Sequence, residues 1–158
     1  MSQRQHPLAR IASTPGRLRV LLNVWPPFLF SGIRVRHVSA DFRHVRVRMG
    51  KHLLTSNYFG TQFGGTMFAM TDPFWTILVA QNLGPGYTVW DRQAEIEFLA
   101  PGRTAVTAEF TLEKAVLDEL CAAAAGGQKV LRWFDTDILD RRGDVVARVR
   151  KQVYVRRR

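Results

Sequence analysis

The sequence predicts an α+β fold in which a six-stranded antiparallel sheet wraps around one long central helix, with a further helix at the N-terminus. Three observations lead there. Residues 63–83 are apolar nearly all round, as a helix buried on most sides must be. Six other segments alternate apolar and polar residues with the period of a half-buried strand. No second long apolar helix is available to cover a flat sheet, so the efficient solution is a sheet curled around the one helix.

The elements follow in order. Residues 7–24 can form a helix on Leu8, Ile11, Leu18, Leu21 and Leu22, but Pro15-Gly16 breaks it and leaves 17–24 as the firmer part. Trp25-Pro26-Pro27 ends it, because proline removes a donor and restricts the residue before it. Strands are expected over 33–39 and 42–49, where Val45, Val47 and Met49 alternate with Arg46 and Arg48, and Ala40-Asp41 closes them as a hairpin. A loop with Gly50 and Lys51 leads to Asn57 and the central helix, which Gly84-Pro85-Gly86 stops. Residues 87–99 alternate, with Trp90, Ala94, Ile96 and Phe98 on one face and Asp91, Gln93, Glu95 and Glu97 on the other, Asp91 being solvated. Pro101-Gly102 turns into a strand over 104–112. The alanine-rich stretch 117–125 is a short helix or a mobile excursion ending at Gly126-Gly127. Strands over 129–139 and 145–155 close the chain around a turn at 140–144, and the tail Val155-Arg156-Arg157-Arg158 is expected to fray. Without repeat or linker, residues 1–158 read as one domain, with a helical extension over 1–31 and a core over 32–156.

Composition narrows the function classes. A chain of 158 residues, 46% hydrophobic and 23% charged, can bury a real core and is not a disordered segment. The single cysteine, Cys121, excludes an internal disulfide and a cysteine-based zinc site, and His6, His37, His44 and His52 lack metal-ligand spacing, so no metal is expected. The longest strongly apolar stretch, around 74–80, is too short to span a bilayer. Asn23, Pro26 and Pro27 break the apolar part of the N-terminus, against a secretory signal. Arg4, Arg10, Arg17 and Arg19 precede the first acid, Asp41, which loosely suits a transit peptide; a cytoplasmic protein with a basic first helix is the plainer expectation. A net charge of +10 draws polyanions, whether nucleic acid, anionic membrane or coenzyme A. With no recognition helix or RNA-binding signature, most arginines are expected to face water from strands, and no specific nucleic acid is expected as a partner.

The chemistry concentrates in residues 57–74. Asn57, Gly60, Phe63, Gly64, Gly65 and Asp72 are spaced as in the N-x-x-G-x-x-H-G-G-x(6)-D core of hotdog-fold acyl-thioesterases of the phenylacetate-pathway type, which this stretch resembles. The flanking strands agree, and the likeness extends over roughly residues 32–156. The segments NVWPPFLFSGIRV and FGGTMFAMTDPF look closer still to an uncharacterised hotdog branch catalogued as domain of unknown function 4442. The resemblance implies an active site at a homodimer interface (possibly within a tetramer), with oxyanion donors and acid from different chains, and coenzyme A or acyl carrier protein as the carrier. It implies no cofactor beyond coenzyme A as part of the substrate.

The residues suit that chemistry. Thioester hydrolysis needs a donor for the developing oxyanion and a carboxylate to activate water or attack the carbonyl. The first turn of a helix carries unpaired N–H groups, and Gly64 and Gly65 let a carbonyl come close to them. Asp72 lies eight residues beyond Gly64, about 12 Å along a helix axis, too far to act on a carbonyl held at its own helix start. An antiparallel second copy would bring acid and glycine turn together, and an apolar helix face of this size also asks for a partner. Asp72-Pro73 is equally a helix start, with Asp72 as N-cap and Pro73 at the first position. Either the segment splits there, or one helix is kinked at Pro73 with Asp72 inside the interface, the arrangement the resemblance favours.

Phe63 departs from the motif, because an apolar ring stands where histidine is usual and cannot hydrogen-bond a thioester. Gln62 beside it carries an amide that can substitute, and Asn57 either positions the carbonyl or a water, or holds its turn. Phe74 and Trp75 belong to the core or line an acyl tunnel, while Arg103, Arg141 and Arg142 either meet coenzyme A phosphates or simply decorate turns. The candidate catalytic residues are therefore Asp72 and Asn57, with Gly64, Gly65, Gln62 and Phe63 around the substrate. Hydrolysis of an acyl thioester is the first functional reading. A non-catalytic hotdog binding an acyl thioester or fatty acid is the second, and an anionic-surface or nucleic-acid binder the third.

Overall fold

The computed structural model describes residues 12–158. Leu8 and Ile11 of the expected first helix lie outside the described residues. Helix α1 runs Pro15–Val24, and Pro15 starts rather than breaks it: Thr14 caps it by accepting from the Arg17 N–H. Trp25 ends α1 and a second short helix, α2 (Pro26–Phe30), follows, with proline at its first turn. Strands β1 (Ile33–Val38) and β2 (His44–Met49) pair antiparallel. Their turn places Phe42 at φ 52° and is held by Ser39 and Asp41, whose side chains both accept from the Arg43 N–H.

A 3-10 turn (Leu53–Thr55) leads to the central helical segment, which is divided into α3 (Gly64–Ala69) and α4 (Phe74–Leu83). Then come β3 (Tyr87–Phe98), β4 (Val106–Thr111), helix α5 (Lys114–Ala124), β5 (Lys129–Leu139) and β6 (Val145–Arg157). The alanine-rich stretch is thus a helix. The basic tail does not fray: β6 continues to Arg157, opposite Tyr87.

The strands form one antiparallel sheet in the order β1-β2-β4-β5-β6-β3. It curls around α4, whose Phe74, Trp75, Leu78 and Val79 are buried against inward residues such as Val47, Phe110, Phe134 and Val153. This is the hotdog arrangement. Trp75 stacks on Phe134 at 4.5 Å and meets the Phe110 ring edge-on, while its Nε1–H donates to Thr136 Oγ1 at 2.8 Å. Phe74 and Trp75 are therefore core residues.

The two sheet edges differ. At β1 the Asn23 side chain brackets Val35, accepting from its N–H at 2.7 Å and donating to its carbonyl at 3.1 Å, so α1 docks against that edge. At the other edge, β3 pairs only with β6 among the described residues. On the outer face, Arg46 pairs with Glu109, Arg148 with Asp137 and Arg150 with Asp135, each across adjacent strands. Those arginines face water, as the strand alternation implied, and each is also paired with an acid on the neighbouring strand.

One irregularity in β3 alters the site. Asp91 opposes Val153 and Gln93 opposes Gln152, so Arg92 is an extra residue in a bulge. The bulge resets the alternation, and Asp91 turns to the inner face with Val89 rather than sharing the face of Gln93. Its carboxylate still reaches solvent, as expected, and what the bulge changes is the face it occupies.

Candidate active site

The loop before α3 is built by its own polar side chains. Asn57 Oδ1 accepts from the N–H groups of Phe59 and Thr61 at 3.0 and 3.1 Å, and its Nδ2 donates to Thr61 Oγ1 at 2.9 Å. Asn57 thus holds the turn that passes through Gly60 at φ 73°, a conformation without steric cost only for glycine. Gln62 is buried, and its Nε2 donates to the carbonyls of Gly50 and Thr104, both at 3.0 Å. Both amide hydrogens are therefore committed to the scaffold, while Oε1 is buried without a partner among the described residues.

Phe63 is the N-cap of α3 and supplies no capping side chain, so the N–H groups of Gly64 and Gly65 have no intrahelical acceptor. A side chain at either glycine would have to displace an exposed ring. A Cβ on Gly64 would lie 2.7 Å from the Phe98 ring, and one on Gly65 would lie 2.8 Å from the Phe63 ring. Both rings are more than half exposed and flank the helix start. In the single chain, the room the glycines leave beside the backbone is walled by aromatic carbon.

The division between α3 and α4 has a local cause. Pro73 has no N–H to give to the Ala69 carbonyl, which accepts instead from the Asp72 N–H at 3.2 Å. Residues 70–73 form a turn, and α4 starts beyond it. The segment is split rather than merely kinked, and yet Asp72 does not cap α4. Its carboxylate reaches across to β6 instead.

There it meets Lys151, which is 1% exposed. The lysine Nζ donates to Asp72 Oδ1 at 2.8 Å and to the Asp72 carbonyl oxygen, and lies 3.1 Å from Asp91 Oδ2. Asp91 also accepts from the Thr76 hydroxyl through Oδ1. The Asp72 side chain itself is 64% exposed. Neither Lys151 nor the inward turn of Asp91 was anticipated. The available signal was the row Val149, Lys151, Val153, Val155, which puts one lysine on a strand face otherwise made of valine.

All the candidate residues but Phe63 line one or other of two cavities. One, of about 240 Å³, is walled by Trp25, Pro27 and Phe28 of the N-terminal extension and by Gly65, Phe68, Ala69, Asp72 and Pro73. The other, of about 560 Å³, holds Asn57, Gln62, Gly64, Phe98 and Arg103. Arg142 pairs with Asp144 at 3.1 Å within its own turn. Among the described residues, no group of three or more His, Cys, Asp or Glu side chains could hold a metal ion, and no helix is long and apolar enough to cross a membrane.

Solved structures share this architecture. A protein of unknown function from Pseudomonas aeruginosa, described as a probable thioesterase, superposes with a TM-score of 0.80 at 20% identity, covering 91% of this chain and 97% of that one. A thioesterase from Haemophilus influenzae gives 0.67 at 19% identity, with 91% of each chain covered. A protein of unknown function from Chlorobaculum tepidum gives 0.71 at 12% identity, covering 92% of this chain and 98% of that one. At these identities the likeness is one of fold. Among curated proteins none matches the sequence. The family model for a domain of unknown function, DUF4442, matches residues 17–155, and the chain belongs to that family.

Proposed function

We propose that the protein hydrolyses acyl thioesters carried by coenzyme A or acyl carrier protein, at a site completed by a second copy of the chain. The observation that carries the reading is the placement of Asp72. It is an accessible carboxylate in the wall of an otherwise apolar cavity, with Oδ1 held by a buried ammonium and no hydrogen bond to Oδ2 among the described residues. Asp72 takes a proton from a water that attacks the thioester carbonyl carbon. The C–S bond then breaks, the thiolate leaves and is protonated, and the acyl group departs as a carboxylic acid. The unpaired N–H groups of Gly64 and Gly65 stabilise the oxyanion. Asn57 and Gln62 hold the loop that presents them, and the Phe63 ring walls the approach.

Support for the second copy comes from the β3 edge, which pairs with no strand but β6 among the described residues and carries exposed Trp90, Phe98 and Leu99. Association along such an edge would bring two sites close together. Light scattering after size exclusion checks this part, since a monomer at micromolar concentration removes it.

The test of the activity is a panel of acetyl-, hexanoyl-, palmitoyl- and benzoyl-CoA with wild type and Asp72→Asn. Turnover by wild type and its loss in the variant are expected, while equal rates would take Asp72 out of the mechanism. A second reading rests on Phe63, which offers no hydrogen bond where the motif usually has one: the protein binds an acyl thioester or fatty acid without cleaving it. Native mass spectrometry showing retained ligand with no turnover would favour that reading.

A further inference from the structure

We propose that Lys151 is a positioning residue for Asp72, holding its carboxylate at the cavity wall with one oxygen anchored and the other free to take a proton. The inference rests on Asp72 being the catalytic base. Its ground is an arrangement that packing alone does not explain. On the inner face of β6, Val149 and Val153 flank Lys151, and all three are buried. A methionine would fill the same volume without bringing a charge out of water, which is costly in a sheet interior. The ammonium carries three N–H donors and faces three oxygens: the Asp72 carbonyl, Asp72 Oδ1 and Asp91 Oδ2.

These contacts come from different parts of the chain. The bulge at Arg92 turns Asp91 inward, the break at Pro73 frees the Asp72 carbonyl, and β6 supplies the cation. Asp91 is itself tied to Thr76 on α4. The position of the ammonium is thereby set by the sheet and the helix together, and Asp72, on a turn between helices, takes its orientation from that fixed point. Both carboxylates reach solvent, Asp72 being 64% and Asp91 35% exposed, so removing the lysine strands no buried anion. The positioning role therefore separates from a structural one.

The experiment compares wild type, Asp72→Asn, Lys151→Met and Asp91→Asn on the acyl-CoA of the panel that wild type turns over fastest. Thermal melting and circular dichroism are recorded on each protein. Lys151→Met is expected to stay folded and to lose about 100-fold in kcat with KM nearly unchanged, the size of effect that misplacing a catalytic group produces. Asp91→Asn should lower kcat in the same sense and by less. If Asp72→Asn is as active as wild type, the catalytic reading itself fails and this inference with it. If Asp72→Asn is inactive but Lys151→Met keeps its kcat, the positioning role alone is overturned. A fall in kcat accompanied by an equal rise in KM, or only in proportion to lost folded protein, also overturns it. Should Lys151→Met not fold, Asp91→Asn decides: lowered kcat at constant KM supports the role, and unchanged kcat refutes it.

Discussion

Gln62 is where a scaffold role and a substrate role give opposite outcomes. In Gln62→Met the side chain keeps its length and loses its amide. Two hydrogen bonds go, to the carbonyls of Gly50 and Thr104, both 3.0 Å long. A buried carbonyl left without a donor costs about 1–3 kcal/mol. The wild-type amide carries an opposite liability, because its Oε1 is buried without a donor among the described residues, and methionine removes that burden of similar size. The Gly50 carbonyl still accepts from Thr55 Oγ1 at 3.4 Å, so it loses one bond of two. The orphaned Thr104 carbonyl and the relieved Oε1 roughly cancel. The net destabilisation is about 1 kcal/mol, or about 3 °C in melting temperature for a chain of this size. Differential scanning calorimetry reads the shift, and a thioesterase assay normalised to folded protein reads the chemistry. The expected result is a lower melting point with activity per folded molecule unchanged. An unchanged melting point with turnover lost would refute the reasoning, since the amide would then be serving a substrate.

Three further outcomes follow from the structure. Thr136→Val leaves the buried Trp75 indole N–H without its acceptor and should cost about 1–3 kcal/mol in urea unfolding; no change would mean that the indole has found another acceptor. Gly84 ends α4 at φ 76° with open space around a would-be Cβ, so Gly84→Ala should cost about 1–2 kcal/mol from backbone strain alone, read by the same titration. Asp41 is held down to about 2, first by the Ser39 hydroxyl and next by the Arg43 N–H. Its folded value lies below the ordinary 3.8, so its contribution to stability is present above that value and lost as pH falls through about 2. Wild type should therefore melt higher than Asp41→Asn at pH 6, with the gap closing toward pH 2; a gap independent of pH would show that the charge plays no part.

Much of the fold is legible along the chain because it depends on local periodicity. Alternation in residues 42–49 and 129–139 marks strands whatever their neighbours, and an all-round apolar run can only be a buried helix. The glycine turn and Pro73 are similarly local, since missing atoms act on adjacent backbone. At Asp72-Pro73 the residues leave a split and a kink both open, and the resemblance favours a kink; the structure shows the split.

The amino-acid sequence by itself determined the strand and helix order, the apolar centre around which the sheet curls, and the stretch where glycines and an acid sit close together. Only the tertiary structure decided what those residues face. The meeting of Asp72, Asp91 and Lys151 joins positions up to 79 residues apart and depends on a single-residue bulge that no period reveals. The pairing of Gln62 with Gly50 and Thr104, and of Trp25 and Phe28 with the Asp72 cavity, is equally a matter of register and docking. Side-chain periodicity states which face a residue occupies; which partner waits on that face is settled by how distant strands align, and one extra residue reverses the answer.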